Sequence, residues 1–223
     1  MYRKFIKRLL DIIFSIILII LTSPFLLIGI IAIKMDDHGS AFFNQVRIGK
    51  DNKKFTMYKL RSMKNQTHDK DGRKLRDKER VTKAGRFIRK TSIDELPQLF
   101  NVLKGDMSFI GPRPLLVKYL PYYTEEELHR HDVRPGITGL AQVNGRSNLG
   151  WEKRFAYDVE YVNNITFLGD MRILGRTLGK VFKGADTSVN ERPEGFVSLN
   201  IQRAGERLRD EDGNSIRCDR SSR

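Results

Sequence analysis

At 223 residues the chain is long enough for one compact domain with its own core. Its 41 Lys and Arg against 27 Asp and Glu give a formal charge of +14 and a pI near 10.0, which suits nucleic acid, anionic lipid headgroups or phosphorylated small molecules as partners. One cysteine, Cys218, excludes an intrachain disulfide, and His38, His68, His129 and His131 lack a zinc-ligand grouping beyond one i, i+2 pair, so ordinary surface positions are expected for them.

The first predicted element is apolar. Residues 12–33 carry no ionisable side chain, and Arg3, Lys4, Lys7 and Arg8 precede them. A cleaved signal peptide does not fit, because an h-region has only about 7–15 apolar residues and Lys34-Met35-Asp36-Asp37 stands where a small-residue cleavage site belongs. As a straight helix the run would reach roughly 33 Å, enough for one membrane span. Pro24 opposes that reading, since it removes a backbone donor and crowds the preceding turn, while Thr22 and Ser23 can re-satisfy the freed carbonyls. Two arms of roughly 17 Å each would fit a hairpin that dips into lipid and returns to the same face. Basic residues flank both ends, the second flank being Lys34, Arg47 and Lys50, and the positive-inside tendency then keeps both ends in the cytoplasm. On these residues alone a spanning helix and a re-entrant hairpin are equally open.

Residues 41–48 and 55–63 are strand-like and are joined by a Gly- and Lys-rich stretch, which predicts a β-hairpin. Residues 65–90 are mostly charged or polar and read as a mobile loop followed by a basic lead-in. Leu96, Leu99, Phe100 and Leu103 have helical spacing and predict a short amphipathic helix ending near Gly105. Further helices are expected over 124–131, 149–162 and 167–182. In the last, Leu168, Met171, Leu174, Leu178 and Phe182 form a stripe suited to a core or a membrane interface, with core as the default. Beyond about Leu199 the polar, aperiodic composition predicts a frayed tail.

Three constellations could carry chemistry. Asp94-Glu95 precedes the helix at Leu96, and capping by Asp94, or by a Ser92/Glu95 capping box, is a sufficient local explanation. Arg86, Arg89 and Lys90 just upstream would also draw a phosphate there, where a carboxylate can attack phosphorus or hold magnesium. Gly111-Pro112-Arg113-Pro114 fixes one guanidinium between two prolines, as a phosphate contact or as a rigid surface turn. Arg134-Pro135-Gly136-Ile137-Thr138-Gly139-Leu140, followed by Gln142, Asn144 and Arg146, combines glycines that let donors approach an anion with amides that suit a nucleobase edge. No recognition helix, zinc finger or RNP pattern is present, so nucleic acid is not an expected partner.

In this order, Ser23-Pro24, Lys59-Leu60-Arg61-Ser62-Met63, Asp94-Glu95-Leu96-Pro97-Gln98, Gly111-Pro112-Arg113-Pro114 and Arg134-Pro135-Gly136-Ile137-Thr138-Gly139 resemble the bacterial sugar transferase family. Its members are monotopic polyprenyl-phosphate phosphoglycosyl transferases, and the resemblance runs to about Lys183. It implies an α+β fold: a mainly helical cytoplasmic domain with a short β-hairpin, attached to an N-terminal re-entrant membrane helix bent at Ser23-Pro24. The expected divisions are a hairpin over 1–34, a catalytic domain over 35–199 and a polar tail over 200–223. It further implies Asp94 as nucleophile, Glu95 as its catalytic partner, Mg2+ as cofactor with Asp94 as ligand, and Lys59, Arg89 and Arg113 as phosphate contacts. Arg134, Gly136, Gln142 and Arg146 complete the expected substrate contacts. The expected reaction moves a sugar 1-phosphate from a UDP-sugar to polyprenyl phosphate at the bacterial inner membrane. The chain lacks the extra membrane bundle of longer relatives and looks like the minimal catalytic form. A non-catalytic basic protein recruiting anionic lipid or polymer in an envelope assembly is the alternative.

Overall fold

The computed structural model describes residues 1–36, 38–69, 71–73, 75–145, 149–182 and 197–203. Arg146 and most of the expected tail lie outside the described residues.

A π-helical turn, Tyr2–Ile6, leads into helix α1, Lys7–Asp36, which runs through Pro24. Proline at position 24 leaves the Ile20 carbonyl without its helical donor. The Ser23 hydroxyl donates to that carbonyl at 2.8 Å, and the Thr22 hydroxyl donates to the Leu18 carbonyl at 2.6 Å. The Ser23 bond is the side-chain rescue expected from the sequence, since it satisfies the one carbonyl that Pro24 frees and the helix continues through it.

Most of α1 is bare of protein contacts, but both of its ends are fastened to the same domain. Near the start, Lys7 Nζ lies 2.7 Å from Asp170 Oδ2, and the Tyr2 hydroxyl donates to the same carboxylate. Arg8 donates to the Val102 and Leu103 carbonyls, and buried Asp11 accepts from Ser108 Oγ and the Phe109 amide. Near the end, Leu26, Ile30 and Ile33 pack with Ala41, Leu60 and Ile88, and Asp36 accepts the Ala84 amide at 2.7 Å.

Strands β1, Phe42–Ile48, and β2, Lys54–Leu60, form the predicted antiparallel hairpin, with Phe43 opposite Lys59. The 65–90 expectation needs correction, because the chain forms helices α2, Asp77–Arg80, and α3, Lys83–Lys90. Helix α3 starts at a Thr82 cap and buries Ile88 against α1, a tertiary contact that composition does not reveal. Its Gly85 backs directly onto the Ser62 carbonyl, where any side chain would overlap.

Helix α4, Gln98–Lys104, ends at Gly105 with φ of 100°, the left-handed cap that glycine adopts readily. Strand β3, Ser108–Ile110, then pairs in parallel with β4, Gly136–Thr138. A short helix α5, Glu125–Leu128, lies between them behind a Thr124 capping box, and α6, Leu140–Asn144, follows β4. Helices α7, Trp151–Asn163, and α8, Phe167–Phe182, match the remaining helical periodicities. The core default for α8 is overturned at Leu168, Met171 and Leu178, which are exposed, Leu168 to 76%. The face carrying Ile173 is the one buried, beside Ile110, Val143 and Tyr161.

The main core gathers Ile48, Leu115, Tyr119, Leu120, Tyr123, Trp151, Phe155 and Leu199. Leu199 sits in a last short helix, α9, Leu199–Gln202, so the described chain stays packed to the start of the expected tail. Beside this core lies a buried ion pair, in which Arg130 donates to Asp158 through Nε at 3.1 Å and through a terminal nitrogen at 2.8 Å. His131 next to it is also buried, correcting its expected surface role. Its Nδ1 lies 2.6 Å from Asn52 Oδ1, and burial, with Arg130 alongside, holds its pKa well below the ordinary value. Arg130→Met would strand the Asp158 carboxylate in the interior. A loss of about 3–5 kcal/mol is expected, measured by chemical denaturation in detergent.

Candidate active site

A tight 3-10 turn, Ile93–Glu95, sets the two adjacent carboxylates between α3 and α4. It begins at Ser92, whose φ of 57° reverses the chain sharply after α3. Neither the Ser92 side chain at this turn nor any side chain at the start of α4 makes a capping hydrogen bond. The capping account of Asp94 and of a Ser92/Glu95 box therefore does not hold.

Three cations converge on this turn from separate segments. Lys59, at the end of β2, puts Nζ 2.8 Å from Glu95 Oε1 and 3.9 Å from Asp94 Oδ2. Arg113, from the Gly-Pro-Arg-Pro turn, lies 3.4 Å from the same Glu95 oxygen. Arg89, in the last turn of α3, is steered by donation of its Nε to Ser62 Oγ at 2.7 Å, and its charge acts on Asp94.

The two carboxylates live in different electrostatic conditions. Asp94 is only 8% exposed, and burial pushes its pKa above the ordinary value of 3.8; Lys59 opposes that rise and Glu95 adds to it. Burial would raise Glu95 too, but its side chain stays 27% open and the charges of Lys59 and Arg113 prevail, bringing it down to about 2. Glu95 thus takes the close contacts of the cations, whereas Asp94 is paired only at longer range, with Lys59 at 3.9 Å.

The Arg113 turn is itself held from behind. Arg130 donates to the Arg113 backbone carbonyl at 2.7 Å while paired with Asp158. Gly111 meets the Arg134 and Gly136 backbone so closely that a side chain on Gly111 or Gly136 would overlap it. Two motifs that read separately in sequence are therefore one packed unit along β3 and β4. Arg130, Asp158 and Ser62 escaped sequence reasoning, because each acts on a partner far away in the chain and carries no local spacing signal.

Other expected contacts are distributed elsewhere. Gly136 belongs to β4, and Arg134 donates Nε to the Gly105 carbonyl beyond α4, away from the carboxylate pair. Gln142 is 7% exposed beside Gly139, and neither atom of its amide has a hydrogen-bond partner among the described residues. Among the described residues no three His, Cys, Asp or Glu side chains converge as a metal cage. The Asp94–Glu95 pair does fit magnesium's habit of using one or two carboxylates with water and substrate phosphate as the other ligands.

Residues 2–184 match the family described as bacterial sugar transferase. The chain belongs to that family. It is 52% identical over 176 residues to the uncharacterized sugar transferase EpsL of Bacillus subtilis, an alignment covering 79% of this chain and 87% of that one. It is 44% identical over 187 residues to the UDP-glucose:undecaprenyl-phosphate glucose-1-phosphate transferase of Klebsiella pneumoniae, covering 80% of this chain and 40% of that protein. With the undecaprenyl-phosphate galactose phosphotransferase of Salmonella typhimurium it shares 40% identity over 197 residues, covering 81% and 41%. The chain thus spans less than half the length of these two sugar-phosphate transferases. As a sugar transferase of this family, the protein is an enzyme.

The depressed Glu95 pKa makes a signed prediction. Its ionic contribution to stability should be fully present above its ordinary value of 4.5 and fade as pH falls through about 2. The stability difference between the native chain and Glu95→Gln, from denaturation in detergent, should therefore shrink between pH 6 and pH 2.5. A difference independent of pH would contradict the ion pairing.

Proposed function

We propose that the chain transfers a sugar 1-phosphate from a UDP-sugar to polyprenyl phosphate, with Asp94 as nucleophile, at the cytoplasmic face of the bacterial inner membrane. The observation that carries this reading is the division of labour in one turn. A poorly solvated carboxylate, paired only at 3.9 Å with Lys59, sits beside a second carboxylate that holds that lysine and an arginine closely. The names of the undecaprenyl-phosphate sugar transferases among its relatives point to the same reaction class.

In the first step an Asp94 oxygen bonds to the sugar-bearing phosphorus of the donor. The bond from that phosphorus to the bridging oxygen breaks, and UMP leaves with the oxygen and its electron pair. In the second step a phosphate oxygen of the polyprenyl phosphate attacks the same phosphorus and releases Asp94, giving polyprenyl-diphospho-sugar. One phosphoanhydride is broken and one is made. The leaving phosphate has a second pKa near 6, so no strong general acid is needed.

An anionic nucleophile attacking a diphosphate meets mainly charge repulsion. Lys59, Arg89 and Arg113 are positioned to offset it, and the incomplete solvation of Asp94 leaves less water to strip before attack. Magnesium, held by Asp94 with Glu95 nearby, would supply further neutralisation of the diphosphate. The unpartnered Gln142 amide offers one donor and one acceptor to a uracil edge.

The membrane reading is a re-entrant helix bent at Ser23-Pro24. The helix is long and apolar enough to cross a bilayer, and most of its apolar stretch is exposed. Yet Arg8 and Asp36, at opposite ends, both bond to the one domain that carries the carboxylate pair. A straight span would carry one of those ends to the far side of the membrane and break its contacts.

Asp94→Asn should abolish UMP release across a panel of UDP-sugars without lowering stability, because it removes a carboxylate that burial disfavours. Intact-protein mass spectrometry of the native chain with donor alone should reveal a sugar-phosphate adduct that the variant lacks. Turnover surviving in Asp94→Asn would remove Asp94 from the nucleophile role.

For topology, cysteines introduced singly at Lys4 and Met35 in a Cys218→Ser background should both resist impermeant thiol reagents in intact cells and both react in inverted vesicles. Labelling of either from outside intact cells would mean a spanning helix.

A further inference from the structure

A second cationic site lies at the other end of α4 from the carboxylate pair. A cavity of about 440 Å³ opens between the start of α1 and the Arg134 segment, with Arg3, Lys4, Lys7, Arg8, Lys50 and Arg134 in its wall. Helix α4 has seven residues, so the cavity is separated from the Asp94 turn by about 10 Å of helix.

The manner in which its arginines are held is informative. Arg8 donates to the Val102 and Leu103 carbonyls at 2.6 and 2.9 Å, Arg134 to the Gly105 carbonyl at 2.8 Å, and Arg3 to the Val162 carbonyl at 3.4 Å. Carbonyls orient a guanidinium without cancelling its charge. Of the two carboxylates in the wall, Asp11 accepts from Ser108 and Phe109 while its charge also acts on Lys7 and Arg8, and Asp132 faces His129 at 3.0 Å. Lys7 is neutralised by the close carboxylate of Asp170, and Lys50 lies 3.7 Å from Asp51 Oδ2 at the exposed rim. Several fixed positive charges therefore share one concavity, the arrangement that binds phosphate oxygens through charge-assisted hydrogen bonds. Phe5, in the π-helical turn, and Leu9, in the first turn of α1, are exposed apolar side chains beside it, as expected of a segment that lies at a membrane surface.

We propose that this cavity is a binding site for a phosphate-bearing anion, separate from the sugar-transfer site. The ligand's phosphate group is bound by Arg3, Lys4, Lys50 and Arg134, and it bridges the start of the membrane helix to the Arg134 segment. The group belongs either to an anionic phospholipid headgroup or to a free phosphate in solution.

The test uses the full chain in detergent. Native mass spectrometry counts phosphatidylglycerol adducts, with phosphatidylcholine as the neutral comparison, and calorimetry titrates inorganic phosphate. Lys4→Gln/Lys50→Gln is the site variant, since both lysines are exposed and make no buried contact; Lys118→Gln/Lys153→Gln removes the same charge elsewhere. About tenfold weaker binding is expected in the site variant, normal binding in the control, and recovery in Lys4→Arg/Lys50→Arg. A loss confined to phosphatidylglycerol identifies a lipid headgroup, and a loss confined to inorganic phosphate identifies the free anion. Loss in both arms means the phosphate group itself suffices. Unchanged binding in the site variant, equal loss in the control, or no binding of either probe would overturn the proposal.

Discussion

Two adjacent carboxylates held in a mostly dry turn repel one another and resist desolvation, so cations must be delivered to them. The fold is arranged around that requirement. Lys59 arrives on a strand, Arg89 on the last turn of α3 and Arg113 on a proline-braced turn, and each is positioned by a contact the others do not share. The β-hairpin fixes Lys59, the close seat of Gly85 on Ser62 fixes Arg89, and Arg130 with Asp158 fixes the backbone of Arg113. Because the close contacts of Lys59 and Arg113 both end on Glu95, the neighbouring Asp94 is paired only at longer range, with Lys59 3.9 Å away.

Helix α1 belongs to the same construction. Its second half packs Gly29 against Leu60 and Ile93, directly beneath the strand end that carries Lys59 and the turn that carries Asp94. Its first half closes the C-terminal end of α4 through Arg8. The mostly exposed apolar stretch between them is therefore held at both sides by the domain that carries the reacting groups. In the re-entrant reading, the depth of this helix in lipid would set the height at which a polyprenyl phosphate meets Asp94.

Much was legible in the chain itself because it was written in local patterns. Alternation announced the β-hairpin, the spacing from Leu96 to Leu103 announced α4, and the Ser23-Pro24 interruption announced the hydroxyl rescue of Ile20. Charge-rich 65–90 was misread as a loop because helix α3 owes its place to Ile88 under α1 and Gly85 on Ser62, contacts with no periodic trace. The exposed stripe of α8 was misassigned for a related reason. Periodicity reports that a helix has an apolar face but does not report what lies against it.

By itself the sequence determined which groups could take part: an apolar helix interrupted by proline, a paired Asp-Glu, and arginines stiffened by proline and glycine, all set by covalent structure and short-range spacing. The tertiary structure alone decided their environments. Burial and charge at close range depend on segments distant in the chain, so only the folded arrangement could separate a strongly ion-paired Glu95 from a more weakly paired Asp94, bury Arg130 behind Arg113, and gather a second set of cations at the far end of α4.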